Sequence, residues 1–226
     1  MKIFTKLPIA FFILGTPLAA DPVNGLFASL NLGGVGIFQN HEYTSPSNAV
    51  DNKKKLKIGT SFGLSFGILH QVEQTKVVAG GEVSASLNKT TQKYDLNTGG
   101  DIEGSLSITN PYSFGTYGIA GMMMTPKLMF YAKAGYAWMR AELKYTNLNK
   151  ENPSYHTYKK TMSGLSGGPG VNYLLTNKFM IGGEYLYYRP NQITPRNNDT
   201  AVGGQKRKFV YSPTVHTVSL KLTVLF

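Results

Sequence analysis

Cysteine is missing altogether from the 226 residues. That excludes disulfides, thiolate nucleophiles and cysteine-ligated metals. Charge is scarce as well: Asp, Glu, Lys and Arg make up 15% of the chain, against about a quarter in ordinary soluble domains. Tryptophan occurs once. Past the N-terminal segment no run of about 18 apolar residues exists, so no helix here is built to cross a bilayer. What is abundant is glycine (25 residues), tyrosine (14) and phenylalanine (12). Glycine and aromatics without disulfides or dense surface charge suit a β-barrel better than a helical protein.

The chain starts MKIFTKLPIAFFILGTPLAA. Lys2 and Lys6 precede an apolar run from Leu7 to Leu14, and Ala19 and Ala20 close the segment. This is the layout of a secretory leader, with a basic start, a short apolar core and a small-residue exit. The expected organisation is a signal peptide over residues 1–20 and one domain over 21–226. Losing Lys2 and Lys6 with the leader lowers the formal charge of +11 by two, to +9. A basic surface favours acidic partners such as anionic headgroups or sulfated sugars; nucleic acid is not expected for an exported chain.

Several segments alternate with a period of two. In LKIGTSFGLSFGI, Leu56, Ile58, Phe62, Leu64, Phe66 and Ile68 oppose Lys57, Gly59, Ser61, Gly63, Ser65 and Gly67. Such alternation marks a strand with two unlike faces. It recurs at 77–88, 128–138, 179–187 and 215–226, and less clearly at 26–38, 113–123 and 162–174, giving eight expected strands. The connections alternate too. Short ones fall near 70–75, 125–127 and 176–178; long polar ones fall at 39–55, 89–111, 140–160 and 189–208. An even number of antiparallel strands with short turns at one end and long loops at the other is the outer-membrane barrel plan.

The less apolar face of these strands is mostly Gly, Ser and Ala with isolated charges. A surface in water normally displays many charged side chains, whereas small residues suit the cramped interior of a narrow barrel. The face of Leu, Phe, Ile, Tyr and Trp is therefore expected to meet hydrocarbon, where closure satisfies every backbone polar group. A soluble barrel with the faces reversed is the rival reading. Tyr136, Trp138, Tyr185 and Tyr187 are expected at headgroup level.

Four charged residues fall on the small-residue face at nearly one height: Glu82, Lys133, Glu184 and Lys221. Buried charges need partners, so a salt-bridged layer across the lumen is expected. An eight-stranded barrel is just wide enough to be filled by its side chains, so this layer is expected to block an aqueous channel. The competing reading makes Glu82 or Glu184 an acid or base in an enclosed site.

The stretches TPKLMFYAKAGYAW (125–138), GVNYLLTNKFMIGGEYLYY (170–188) and HTVSLKLTVLF (216–226) resemble the small eight-stranded outer-membrane barrels, the outer-membrane protein A-like and opacity-type group. The resemblance implies an outer-membrane location in a Gram-negative bacterium and a structural, adhesin or surface-antigen role. It also implies that Phe226 belongs to the signal read by the barrel-assembly machinery. The chain departs from the group at Asn172, where members carry Glu, and at its Val-Leu-Phe ending, where members carry a Tyr-Arg-Phe-like one.

No catalytic, cofactor or metal-binding set is expected. His41, His70, His156 and His216 do not stand at metal-ligand spacing. His216 and Ser219 share the last strand, but three residues apart on a strand means opposite faces. Gly33–Gly36 and Ser166–Gly170 are glycine-rich and fit barrel packing better than a nucleotide site. The basic clusters Lys53, Lys54 and Lys55, Lys159 and Lys160, and Lys206, Arg207 and Lys208 are expected at the outer ends of strands. There they would contact lipopolysaccharide phosphates or host glycans. The overall expectation is a monomeric, non-enzymatic barrel, with a small passive channel as the alternative and a lipid-modifying enzyme as a more remote one.

Overall fold

The computed structural model describes residues 23–44, 50–98, 101–147, 154–191 and 208–226. The expected leader, Lys206 and Arg207 lie outside the described residues. Ten antiparallel strands form one sheet: β1 (Gly25–Thr44), β2 (Val50–Gln71), β3 (Val77–Lys89), β4 (Thr91–Thr98), β5 (Asp101–Thr109), β6 (Tyr112–Met123), β7 (Leu128–Asn147), β8 (Ser154–Leu174), β9 (Phe179–Pro190) and β10 (Lys208–Leu225). Eight of them close on themselves in the order β1-β2-β3-β6-β7-β8-β9-β10. Closure leaves no sheet edge in the wall, which is what a strand-built crossing of hydrocarbon requires.

The tilt of the strands can be read from the register. Partners followed from Leu26 run through Ile68, Gly81, Gly118, Ala134, Gly167, Tyr187 and His216. The line returns to β1 at Gly36 rather than Leu26, ten residues further along. This stagger is the shear that a tilted, closed barrel needs. It also means that residues level in the membrane are not hydrogen-bond partners.

The three short turns share a device. Thr125 Oγ1 accepts the N–H groups of Lys127 and Leu128 at 3.3 and 3.0 Å. Thr176 Oγ1 accepts those of Lys178 and Phe179 at 3.2 and 3.1 Å, and Thr75 Oγ1 accepts that of Val77 at 3.1 Å. A hydroxyl that satisfies turn N–H groups fixes a tight reversal. At the same end the Phe226 N–H donates to Leu26 O at 2.9 Å, which ties the last residue to the first strand.

The opposite end holds more strand than the periodicity showed. β1, β2, β7 and β8 extend well into the spans read as loops. Span 89–111 contains a hairpin, β4–β5, that continues β3 and β6 above a break at Thr90 and Asn110. β5 joins β7 from Gly104↔Asn147 to Thr109↔Glu142, whereas β4 bonds only to β5.

Outside, large apolar side chains stand exposed in rows: Ile58 (72%), Leu165 (74%) and Leu220 (68%) are examples. Inside lie two apolar clusters. One, at the short-turn end, gathers Phe27, Leu69, Ile119, Met123, Met129 and Met180 among others. The other, toward the long-connection end, gathers Val35, Ile37, Ile108, Met139, Leu143 and Met162 among others. Unbranched methionine supplies three members of the first and two of the second, as befits a side chain that fills irregular gaps.

Candidate functional site

Between the two apolar clusters the lumen is polar. Glu82 on β3, Lys133 on β7, Glu184 on β9 and Lys221 on β10 all point inward, and all are buried. Period-two alternation puts them on that face, and the shear brings strands that are not neighbours to one level. Glu82 Oε1 lies 2.7 Å from Lys133 Nζ, and Glu82 Oε2 lies 2.5 Å from Lys221 Nζ. Glu184 Oε1 lies 2.8 Å from Lys133 Nζ, while its Oε2 is 4.0 Å from Lys221 Nζ. Two carboxylates thus alternate with two ammonium groups around a closed ring of charge. Each ion has opposite-sign partners and hydrogen bonds, the condition under which a buried pair is tolerated.

Aromatic side chains that the sequence reading did not single out complete the layer. The Tyr131 hydroxyl donates to Glu184 Oε2 at 3.0 Å. Lys133 Nζ sits 4.5 Å from the centre of the Tyr117 ring, and Lys221 Nζ 5.3 Å from that of Phe27. These contacts add cation–π attraction in a desolvated setting. The signal for finding them was present: Phe27, Tyr117 and Tyr131 lie on the lumenal alternation of their strands. Glycine makes the room. A Cβ on Gly67 would come within 2.6 Å of the Phe27 ring, and one on Gly170 would collide with the Tyr131 ring. Ser29 and Thr223 close the polar zone with a hydroxyl–hydroxyl bond of 2.8 Å.

Asn172, the position of departure from the resembling group, faces the same layer. It is 4% exposed, and its Oδ1 has no hydrogen-bond partner. It borders a small enclosed void shared with Lys221, Thr223 and Tyr131.

The other residues singled out in the sequence are scattered. His216 faces outward, where its Nδ1 lies 2.7 Å from the Tyr185 hydroxyl, while Ser219 is buried on the lumenal side. The pair therefore cannot act as nucleophile and base. Among the described residues no cluster of three metal-ligating side chains occurs. Gly33–Gly36 and Ser166–Gly170 lie within β1 and β8. Lys53, Lys54 and Lys55 fall in β2, and Lys208 begins β10. Lys159 and Lys160 are both exposed on β8, on opposite faces, and Lys159 Nζ pairs with Glu142 Oε1 at 3.4 Å. Phe226 is 77% exposed at the short-turn end.

Fold and lumen together define a small outer-membrane β-barrel of eight strands. Residues 7–221 match the family model described as the outer membrane protein beta-barrel domain, and the chain belongs to that family. It is a protein of the bacterial outer membrane. Among solved structures it is similar to OprG from Pseudomonas aeruginosa, at 15% identity and a TM-score of 0.55, covering 88% of this chain and 95% of that one. The outer-membrane protease OmpT from Escherichia coli gives 11% identity and a TM-score of 0.51, covering 91% and 98%. Neisserial surface protein A gives 15% identity and a TM-score of 0.48, covering 89% and 97%. At such identities the likeness shows the fold alone, and the presence of a protease among these structures means the fold does not decide for or against catalysis. No curated protein sequence matches the chain.

Proposed function

We propose that this barrel is a non-enzymatic component of the envelope, closed to solutes. In this reading it works as a monomer through its basic outer end, which meets lipopolysaccharide and host-surface glycans. The observation that supports closure is the stacking inside the lumen. The ring of Glu82, Lys133, Glu184 and Lys221 lies between two apolar clusters, so a hydrated ion would have to cross three unlike layers. Against catalysis, the buried carboxylates are engaged with lysines, and His216 and Ser219 stand on opposite sides of the wall. Lys53, Lys54, Lys55, Lys159, Lys160, Lys206, Arg207 and Lys208 supply the positive charge for anionic surfaces, which attract such patches over about a Debye length. Phe226, exposed at the inner rim, is in this reading the residue that the assembly machinery engages during insertion. Reconstitution into planar bilayers tests closure: a silent baseline is expected, and stable single-channel steps would replace this reading with a passive channel.

A further inference from the structure

The outer wall near the long-connection end carries a cluster that the lumen does not explain. Outward-facing residues of β7, β8 and β9 meet there. Arg140 lies opposite Thr161, Trp138 opposite Ser163, and Arg189 opposite Leu165. Arg140 Nη1 reaches Thr161 Oγ1 at 3.5 Å, and the Tyr136 hydroxyl donates to Ser163 Oγ at 3.0 Å. Two arginines therefore flank one strand that presents two hydroxyls between them. Among the described residues no carboxylate pairs with either guanidinium.

The position in the membrane is set by the aromatics. Tyr136 and Trp138 pack edge to face with centroids 5.2 Å apart, just below Arg140 on the same face of β7. Such side chains sit at the boundary between hydrocarbon and headgroups. Further toward the bilayer centre β7 and β8 present small residues, Ala134 opposite Gly167 and Ala132 opposite Pro169, a low patch bordered by the exposed Leu165 above and Tyr187 of β9 beside Gly167. A low apolar patch beneath two cations and two hydroxyls is complementary to acyl chains below a phosphate.

We propose that Arg140, Arg189, Thr161 and Ser163 form a binding site on the outer wall for the phosphate of a phosphorylated glycolipid of the outer leaflet. Guanidinium groups grip phosphate oxygens with paired, charge-assisted hydrogen bonds. The hydroxyls of Thr161 and Ser163 offer neutral donors between them, and the low-relief wall receives the chains. This deepens the proposed contact with envelope lipid and rests on it.

The full chain, assembled in phosphatidylcholine nanodiscs doped with bisphosphorylated lipid A, is the test, with lipid A per barrel counted by native mass spectrometry. Wild type is expected to retain lipid A, and to retain lipid A stripped of its phosphates far less. Arg140→Gln with Arg189→Gln should lower retention at least about tenfold. Arg189→Gln alone, an exposed position, should fall between. Lys160→Gln, on the other face of β8, should match wild type. Millimolar inorganic phosphate should not displace the lipid. Full retention by the double variant, equal retention of the dephosphorylated lipid, or displacement by free phosphate would each overturn the site. If the wall site fails by any of these, a sulfated oligosaccharide that still binds wild type and double variant equally would leave the proposed basic outer end standing.

Discussion

Lys133 Nζ lies 2.7 Å from Glu82 Oε1, although 51 residues and the intervening strand β6 separate the two. The contact crosses the lumen rather than a strand pair. It exists because the shear of the closed barrel levels β3 with β7. Glu82 also holds Lys221, so one carboxylate serves two cations.

Glu82→Gln is therefore expected to be more damaging than Glu184→Gln, whose second lysine lies at a long 4.0 Å and whose other close partner is the neutral Tyr131 hydroxyl. Removing one partner of a buried pair costs about 3–5 kcal/mol. Urea unfolding in detergent micelles, read by the loss of heat-modifiable mobility, should show the larger midpoint fall for Glu82→Gln. Combining it with Lys133→Gln should cost less than the two single changes added, because both remove one interaction. Additive losses would mean the ring is not coupled.

Asn172 offers a contrast within the same layer. Its Oδ1 is buried and unpartnered, so an apolar replacement of like size relieves a desolvation cost of about 1–3 kcal/mol. Asn172→Leu is expected to be neutral or stabilising. Asn172→Glu adds a third carboxylate to two lysines and is expected to destabilise at neutral pH. The same unfolding midpoint decides both, and a stabilising Asn172→Glu would show that the ring has room for another anion.

Gly170 is fixed by the ring beside it. A methyl group there meets Tyr131 and would push its hydroxyl off Glu184. Gly170→Ala should cost about 1–3 kcal/mol, the usual range for overpacking. Tyr131→Phe, which keeps the ring and loses one bond to a charged acceptor, should cost about 1.5–3 kcal/mol. If Gly170→Ala is silent while Tyr131→Phe is costly, the tyrosine has another way to reach Glu184.

Phe226 separates assembly from stability. Its side chain is exposed at the barrel rim, and its one described tie is the backbone bond to Leu26. Phe226→Ser should leave the protein able to refold in detergent with little loss of stability, while lowering the amount of heat-modifiable barrel in cells. Equal loss in both settings would make the residue structural.

How much of this could be read in the residues follows from where the solvent changes. Strands such as 56–68 declared themselves because one side faces hydrocarbon and the other a crowded lumen, so large and small residues alternate. The hairpin β4–β5 did not. TQKYDLNT and DIEGSLSIT mix polar and apolar residues without two sharply unlike faces, and periodicity fades with the contrast. The same holds for HEYT at the end of β1 and KKK in β2. Alternation and distance from the turns placed Glu82, Lys133, Glu184 and Lys221 on one side and at one level. They could not say which lysine meets which glutamate, because that depends on a shear that no single strand encodes. Tyr131 escaped notice although it shares Lys133's face, because a tyrosine in a membrane strand is expected at the rim rather than in the lumen.

The pairing of the lumenal charges, away from water, is what holds the ring together. It is tested most directly by nitrogen-15 NMR of lysine ammonium groups in the micelle-bound barrel. Ordered, water-excluded ammonium protons exchange slowly enough to be seen, whereas solvated ones vanish into the water signal. Two resolved signals are predicted, one lost in Lys133→Met and the other in Lys221→Met, both shifted in Glu82→Gln. A wild-type spectrum with no slowly exchanging ammonium group would contradict the account.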